Sequence, residues 1–175
     1  MIITVDELNN FLNNYESSDS VKALKESVIA SAEDVVIDYL GYCPILKNYQ
    51  EEYHNGTGKR TMFLNAKNVV SVNCITEDGE YLDDVELRED CLYRKEKFNE
   101  NKEYCVDYLA GWRIGQMPII IKNTILRVAS LMWLETGGNI GLSARTSPDN
   151  SKTFISYNNY SKYLAPLEKY RVVRF

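Results

Sequence analysis

Apolar positions along this chain follow two periods, and the helical period comes first. Between residues 21 and 39 apolar side chains recur at spacings of three and four, and the run ends at Gly41 with Pro44 beyond it. This pattern predicts a helix of about 20 residues. A short helix is predicted before it, because Thr4 and Glu7 have the spacing of a capping box, in which each side chain accepts the other residue's backbone N–H. The apolar face of this first helix would consist of Leu8, Phe11 and Leu12.

A third, strongly apolar helix is predicted from Pro118, since proline fits the first position of a helix. One side of it carries Ile121, Ile125, Val128 and Met132. Its polar residues form only a narrow stripe, so most of its surface must be covered by other elements or by a neighbouring subunit. The apolar stretch is short for a bilayer and is interrupted by charges, which indicates a buried helix and not a membrane span.

From Gln50 to residue 109 the pattern changes to short strands separated by turn-forming residues. Residues 51–54 and 60–64 flank Asn55-Gly56-Thr57-Gly58, which predicts a hairpin around a glycine turn. Residues 69–76 predict a strand followed by a turn at Asp78-Gly79. Further strands are predicted at 85–87, 91–93 and 104–108. The predicted fold class is therefore α+β: a small helical bundle of two N-terminal helices and the Pro-led helix, a central antiparallel sheet, and an extended C-terminal arm.

The last part of the chain differs in kind. Residues 137–163 are a polar run with little periodicity, and a loop of that length is uncommon in a compact domain unless it is functional or disordered. We therefore expect a core domain at residues 1–136 and a flexible, interface-forming loop and C-terminal arm at 137–175. Aromatic residues recur at every third position, at Phe154, Tyr157, Tyr160 and Tyr163. This stripe packs either on the protein's own core or against a partner, and Tyr170, Arg171 and Phe175 are also of types enriched at interfaces.

Composition is consistent with one domain. The chain has 175 residues, of which 45% are hydrophobic, and a chain of this size buries roughly 70% of its unfolded surface without disulfides or metals. Its 25 acidic and 20 basic side chains give a net charge of -5, which argues against a nucleic-acid-binding protein. The cysteines have no C-x-x-C spacing, and we expect reduced, mostly buried thiols in a cytosolic protein without a secretory signal. They are Cys43, Cys74, Cys91 and Cys105.

Three features hint at catalysis or ligand binding, and each has a simpler interpretation. The segment from Gly56 to Arg60 is similar to a phosphate-binding loop, but it lacks that motif's first glycine and its Ser or Thr after the lysine. His54 is the sole histidine and has no nucleophile in a known motif, which favours a partly exposed residue at a strand end. The acidic residues at 83–90 lack the ligand pattern of a calcium loop and favour a charged sheet edge. No catalytic, cofactor or metal site is predicted.

Over nearly the whole chain, the order and spacing of these features resemble the head-tail connector proteins (head completion or adaptor proteins) of tailed bacteriophages. The resemblance is carried by residues 3–8, the helix ending at 38–41, the segments 53–64, 69–72 and 108–112, the Pro118 helix and the closing residues 164–171. None of these motifs is diagnostic alone, and the specificity lies in their order. The connection from Asp78 to Lys102 is longer and more acidic than in that family, and the resemblance assigns it no role.

The resemblance implies a non-enzymatic virion protein that is made in the host cytoplasm and resides at the head-tail interface. It would form a homo-oligomeric, dodecameric ring under the capsid portal, extend the DNA channel and join the tail. Its partners would be its own copies, the portal protein and tail or tail-completion proteins, while DNA passes without specific binding and no membrane or cofactor takes part. The alternative is a small intracellular enzyme or ligand-binding domain whose pocket the sequence does not reveal.

Overall fold

Helix α1 (Val5–Leu12) begins at the predicted capping box. The computed structural model describes residues 1–15, 18–136, 144–147, 150–153 and 160–172. The Glu7 N–H donates to Thr4 Oγ1 at 3.2 Å, and the Thr4 N–H donates to Glu7 Oε2 at 2.7 Å. The helix ends at Asn13, whose φ of 51° is left-handed. Leu8 is fully buried as expected, whereas Phe11 is 50% exposed, so the predicted apolar face is only partly covered.

The two longer helices follow the predicted periods, and a short helix and a 3-10 turn that were not predicted come after them. Helix α2 (Asp19–Leu40) ends at Gly41, whose φ of 81° is a left-handed conformation that favours glycine. Helix α3 spans Ile119–Thr136, helix α4 spans Tyr160–Leu164, and a 3-10 turn spans Ala165–Tyr170. The α+β class is therefore confirmed.

The chain divides into two compact units. The helical unit comprises Met1–Tyr39 and Pro118–Lys169, and the β unit comprises Leu40–Met117 and Tyr170–Phe175. In the helical unit, α3 contacts both α1 and α4. Its predicted inner side is confirmed for three positions that have no solvent exposure, Ile121, Ile125 and Val128. Burial of this apolar side contributes to the stability of the unit.

The β unit contains two antiparallel sheets. Strands β1 (Lys47–Asn55), β7 (Glu103–Ala110), β3 (Val69–Glu77) and β4 (Glu80–Tyr81) form the first sheet in that order. Strands β2 (Thr61–Phe63), β6 (Cys91–Arg94) and β5 (Val85–Arg88) form the second. The predicted turn at Asp78-Gly79 joins β3 to β4, and both of its residues have positive φ angles, 50° and 86°. The predicted strands of the middle region are thus present.

Buried and partly exposed side chains alternate along β7, and the buried ones form the core of the first sheet. Tyr104, Val106, Tyr108 and Ala110 are fully buried, while the residues between them point to the opposite face and are partly exposed. A bulge interrupts the pairing of β1 with β7 between Tyr49 and Glu52. Within it Glu51 has a φ of 52°, and its N–H donates to Asp107 Oδ1 at 2.7 Å.

The predicted hairpin around Gly56 is wrong. The strands on either side of it belong to different sheets, because β1 pairs with β7 and β2 pairs with β6. Gly56 is required by the close approach of distant backbone, and Gly58 by its left-handed φ of 65°. A Cβ at Gly56 would lie 1.7 Å from the Asn99 carbonyl oxygen, and one at Gly58 would lie 2.1 Å from Glu100 Oε1. The glycine-rich spacing therefore reflects packing against Asn99 at Gly56 and a left-handed backbone conformation at Gly58.

Two further expectations need correction. The four cysteines are free, as predicted, but each is only partly buried. The polar segment where an irregular loop was expected contains two short antiparallel strands, β8 (Ala144–Ser147) and β9 (Asn150–Thr153), paired from Ala144↔Thr153 to Ser147↔Asn150. Most of the segment 137–163 lies outside the described residues, and the division into a 1–136 core and a 137–175 arm stays a prediction.

Candidate assembly surfaces

Two residues of the aromatic stripe lie against helix α3. The Tyr160 hydroxyl donates to Glu135 Oε2 at 3.3 Å, and the Thr124 hydroxyl donates to the Tyr163 carbonyl at 3.5 Å. Both tyrosines are partly exposed. These contacts are within one chain, so an additional role of the stripe at an interface stays a prediction. Phe154, Tyr157 and Phe175 lie outside the described residues.

Tyr170 joins an aromatic cluster in the β unit. Its ring meets Trp112 edge-on at 5.9 Å between centroids, and Trp112 lies 6.4 Å from the ring of Tyr42. Beside it, the Val172 N–H donates to the Leu40 carbonyl at 2.9 Å. Arg171 lies between these two anchored residues and is exposed. Tyr170 and Arg171 thus lie in a segment that these contacts hold against the rest of the β unit.

Within this cluster the Tyr42 hydroxyl is buried and, among the described residues, has no hydrogen-bond partner. Burial, reinforced by the charge of Asp90, raises the pKa of Tyr42. The phenol therefore stays neutral throughout the physiological range.

Polar side chains of β1 and β7 form a largely buried network that the sequence did not predict. Glu52 Oε1 lies 2.7 Å from His54 Nε2, and Glu52 Oε2 accepts the Tyr108 hydroxyl at 2.7 Å. The Asn65 N–H also donates to Glu52 Oε1 at 3.0 Å. Tyr108 stacks on Tyr49 at 4.9 Å between ring centroids. The sole histidine is thus a strand residue whose ring is held by a carboxylate, with a side chain only 12% exposed.

The protonation states in this network follow from burial and hydrogen bonding. Burial opposes ionisation of Glu52, but the hydrogen bonds from His54, the Asn65 N–H and Tyr108 outweigh it and hold the pKa of Glu52 below its ordinary value. Burial, with the neighbouring Glu52 charge, raises the pKa of Tyr108. Burial likewise raises the pKa of Tyr49 to about 12. The network is therefore a carboxylate surrounded by neutral phenols, which locks β1 to β7.

Two basic residues of the acidic segment from Asp78 to Lys102 form ion pairs with acidic residues in or next to it. Arg94 Nε contacts Asp84 Oδ2 at 2.7 Å, and its Nη1 contacts Glu77 Oε2 at 3.2 Å. Lys102 also pairs with Glu77, at 3.3 Å. The hydrogen bond from Arg94 to Asp84 raises the pKa of this already basic side chain. This ion-pair cluster connects β3, β6 and the segment before β5.

The backbone N–H groups of Gly56 and Gly58 form hydrogen bonds within the protein. The Gly56 N–H donates to the Lys102 carbonyl at 3.0 Å and the Gly58 N–H to the Phe98 carbonyl at 2.7 Å. A phosphate-binding loop needs such amides to face the ligand. In the part of the chain that the structure describes, no three His, Cys, Asp or Glu residues converge to hold a metal ion. No helix in the described ranges is both long and apolar enough to cross a bilayer.

Several large apolar side chains are exposed on each unit, although sequence reasoning singled out none of them as a contact surface. On the β unit they are Phe63 at 71%, Tyr81 at 68%, Tyr53 at 58% and Val70 at 55% exposure. On the helical unit they include Ile119 at 74%, Tyr15 at 65% and Leu134 at 62%. Phe63 lies on the edge strand β2, where it faces solvent beside exposed main-chain groups. Exposed aromatic side chains at a sheet edge are a common feature of contact surfaces.

Comparison with solved structures finds the same fold in phage-like particles. The chain matches a protein in the neck of an empty gene transfer agent particle computed with C6 symmetry, with a TM-score of 0.62 and 12% sequence identity, covering 99% of this chain and 91% of the other. A chain from the virion of the native gene transfer agent particle matches with a TM-score of 0.61, 12% identity and the same coverage. The chain has the fold of these particle proteins.

A third match, in the neck of the native particle computed with C12 symmetry, has a TM-score of 0.55 and 12% identity over 98% of this chain and 89% of that one. No known family model and no curated protein matches this chain. The likeness runs through both the helical unit and the β unit, since it covers almost the whole length of each protein.

Proposed function

We propose that this protein is a ring-forming head-tail connector, a structural component of a virion neck that docks under the portal, extends the DNA channel and joins the tail. The observation that supports it best is the likeness in fold over 99% of the chain to a protein in the neck of a gene transfer agent particle. The match covers 99% of this chain and 91% of the other, so it includes both the helical unit and the β unit. The role is structural and not enzymatic.

The particle structures also support an oligomeric role. Two of the matching necks were computed with C6 and C12 symmetry. A closed ring is built from head-to-tail interfaces, in which one surface of a subunit meets a different surface of the next. Exposed apolar residues such as Phe63 and Ile119 are suited to such contacts. The acidic net charge of -5 suits a channel through which DNA passes without being held.

The test asks where the protein lies in the particle and whether the joining of heads to tails requires it. Particles purified from cells that produce the tagged protein should carry the tag at the junction of head and tail when labelled with gold-conjugated antibody. Cells lacking the protein should accumulate heads without tails, and supplying it in extracts should restore joining. A tag found on the capsid shell or only in free protein, with normal particles in its absence, contradicts the proposal.

A further inference from the structure

The three-stranded sheet of the β unit has two edges, β2 and β5, beside which no other described strand lies. Strand β6 lies between them and is antiparallel to both. The two edge strands therefore run in the same direction. A second copy placed with its β2 beside β5 would add a parallel strand pair, and the same step could be repeated from copy to copy.

The main-chain groups of β2 show which of its residues face outward. The Arg94 N–H donates to the Arg60 carbonyl at 3.0 Å, and Met62 lies opposite Leu92. Because bonded pairs alternate in an antiparallel ladder, Met62 directs its main-chain groups toward β6. Those of Thr61 and Phe63 are then directed away from the sheet. The Thr61 carbonyl accepts the Thr57 hydroxyl at 3.0 Å, which leaves the Phe63 groups for another strand.

The same alternation applies to β5. Since Leu92 is engaged with β2, the next residue, Tyr93, is directed toward β5, where Glu86 lies opposite it. Val85 and Leu87 therefore present their N–H and carbonyl groups on the outer side of β5. Both edges are short, with three residues in β2 and four in β5, so main-chain pairing alone would be weak.

Charge distinguishes the two edges. Lys59 and Arg60, which lead into β2, are exposed and form no salt bridge with any described residue. The β5 edge is acidic: the described residues 83–89 contain Asp83, Asp84, Glu86 and Glu89, and Arg88 is the one basic residue among them. Asp84 is paired with Arg94 at 2.7 Å and Glu86 with Arg88 at 2.9 Å, so the excess of negative charge remains.

We propose that β2 of one copy pairs with β5 of the next, held by Lys59 and Arg60 against the acidic β5 edge, and that this is a head-to-tail contact of the ring. Two β2 edges would repel each other, as would two β5 edges, whereas unlike edges attract. The charges thus select the heterologous pairing that closes rings and exclude an isologous dimer through this sheet. Phe63, which is 71% exposed, would be covered by the same contact. The inference rests on the proposed function, because it names the partner as a second copy.

The test uses charge reversal and mixing of full-length variants. One variant carries Lys59→Glu and Arg60→Glu, and the other carries Asp83→Lys and Glu86→Lys. Sedimentation over a concentration series should show self-association of the wild-type protein and at least about tenfold weaker association of each variant alone. An equimolar mixture should recover association, because each reversed edge then meets a complementary edge on the other variant. Circular dichroism establishes that both variants are folded.

A matched control and a milder pair of variants complete the test. Lys22→Glu with Asp34→Lys reverses exposed charges on α2 and should leave association unchanged. Lys59→Gln with Arg60→Gln should weaken association less than reversal does and reduce its dependence on salt, which keeps the test informative if a reversed variant is unstable.

Two outcomes would overturn the pairing. A wild-type protein that is monomeric at every concentration would mean that these charges only guard the edges against aggregation. A mixture that associates no better than its components would mean that the two edges do not meet. Either result leaves the proposed function to be decided by the neck-labelling experiment, while a tag absent from the neck together with recovery in the mixture would overturn the function and not the pairing.

Discussion

The buried ammonium group of Lys25 donates a 2.6 Å hydrogen bond to Asn9 Oδ1 and thereby ties helix α2 to helix α1. It also donates to the Asn14 carbonyl at 3.1 Å and lies 5.1 Å from the ring centroid of Trp133 on α3. A lysine with no solvent exposure is uncommon and requires such partners. One side chain therefore connects three parts of the helical unit.

Replacing Lys25 should destabilise the protein measurably. Lys25→Met keeps the length of the side chain but removes the donor to Asn9 and to the Asn14 carbonyl. We expect the free energy of unfolding to fall by about 1–3 kcal/mol. Urea denaturation measures it, with Lys22→Met on the exposed side of the same helix as control, expected within about 0.5 kcal/mol of wild type. Equal stability of the two variants would mean that the buried contact contributes nothing.

Helix α3 offers a matched pair of isoleucines. Ile125 has no solvent exposure, whereas Ile119 is 74% exposed at the start of the same helix. Ile125→Asp should lower the free energy of unfolding by several kcal/mol, about 3 or more, because it buries an unpaired charge. Ile119→Asp should change it by less than about 1 kcal/mol. A soluble, normally stable Ile125→Asp protein, judged by thermal denaturation, would show that α3 is peripheral.

Gly56 should not accept a side chain. Its Cβ would lie 1.7 Å from the Asn99 carbonyl oxygen, so Gly56→Ala must displace the backbone of residues 99–100. A loss of about 1–3 kcal/mol or more is expected. Gly115→Ala is the control, because nothing lies within 4 Å of the added methyl group. Denaturation midpoints that are the same for both variants would contradict the close approach.

Glu52 should make stability depend on pH. Its pKa in the folded protein lies below the ordinary value of 4.5, so its contribution to stability is complete above that pH and is lost as the pH falls through the folded pKa. Glu52→Gln should lower stability at pH 7 and flatten its decline below about pH 4.5. Urea midpoints between pH 7 and pH 3 provide the measurement. A constant difference between the two proteins over this whole range would contradict the role of the carboxylate.

Much of the fold could be predicted because the responsible signals are local. The periods of α2 and α3, the capping box at Thr4 and the turn at Asp78-Gly79 involve residues a few positions apart, and each is confirmed. The prediction of a hairpin at Gly56 was wrong because this glycine is required by the close approach of Asn99, which is distant in sequence, and not by a turn between its neighbours. A local pattern cannot distinguish these two reasons for a glycine.

The polar contacts of the β unit were hidden for the same reason. Glu52 and Tyr108 are far apart in sequence and meet only through the register of β1 with β7, which a bulge shifts between Tyr49 and Glu52. The charged edges of the three-stranded sheet depend on strand order, which propensity does not encode. Sequence reasoning saw the acidic residues at 83–90 as a sheet edge, but the opposite charge of the other edge required the structure.

The division of the chain has a consequence for how the protein is made. The β unit is inserted between the two parts of the helical unit, and its own final piece, which includes the bond from Val172 to Leu40, comes at the end of the chain. During translation the first two helices therefore emerge before α3, which packs against α1 and contacts Lys25 of α2. Most of the strands follow before the helical unit is complete. The helical unit therefore cannot be completed until α3 and α4 have been synthesised, after every strand from β1 to β7.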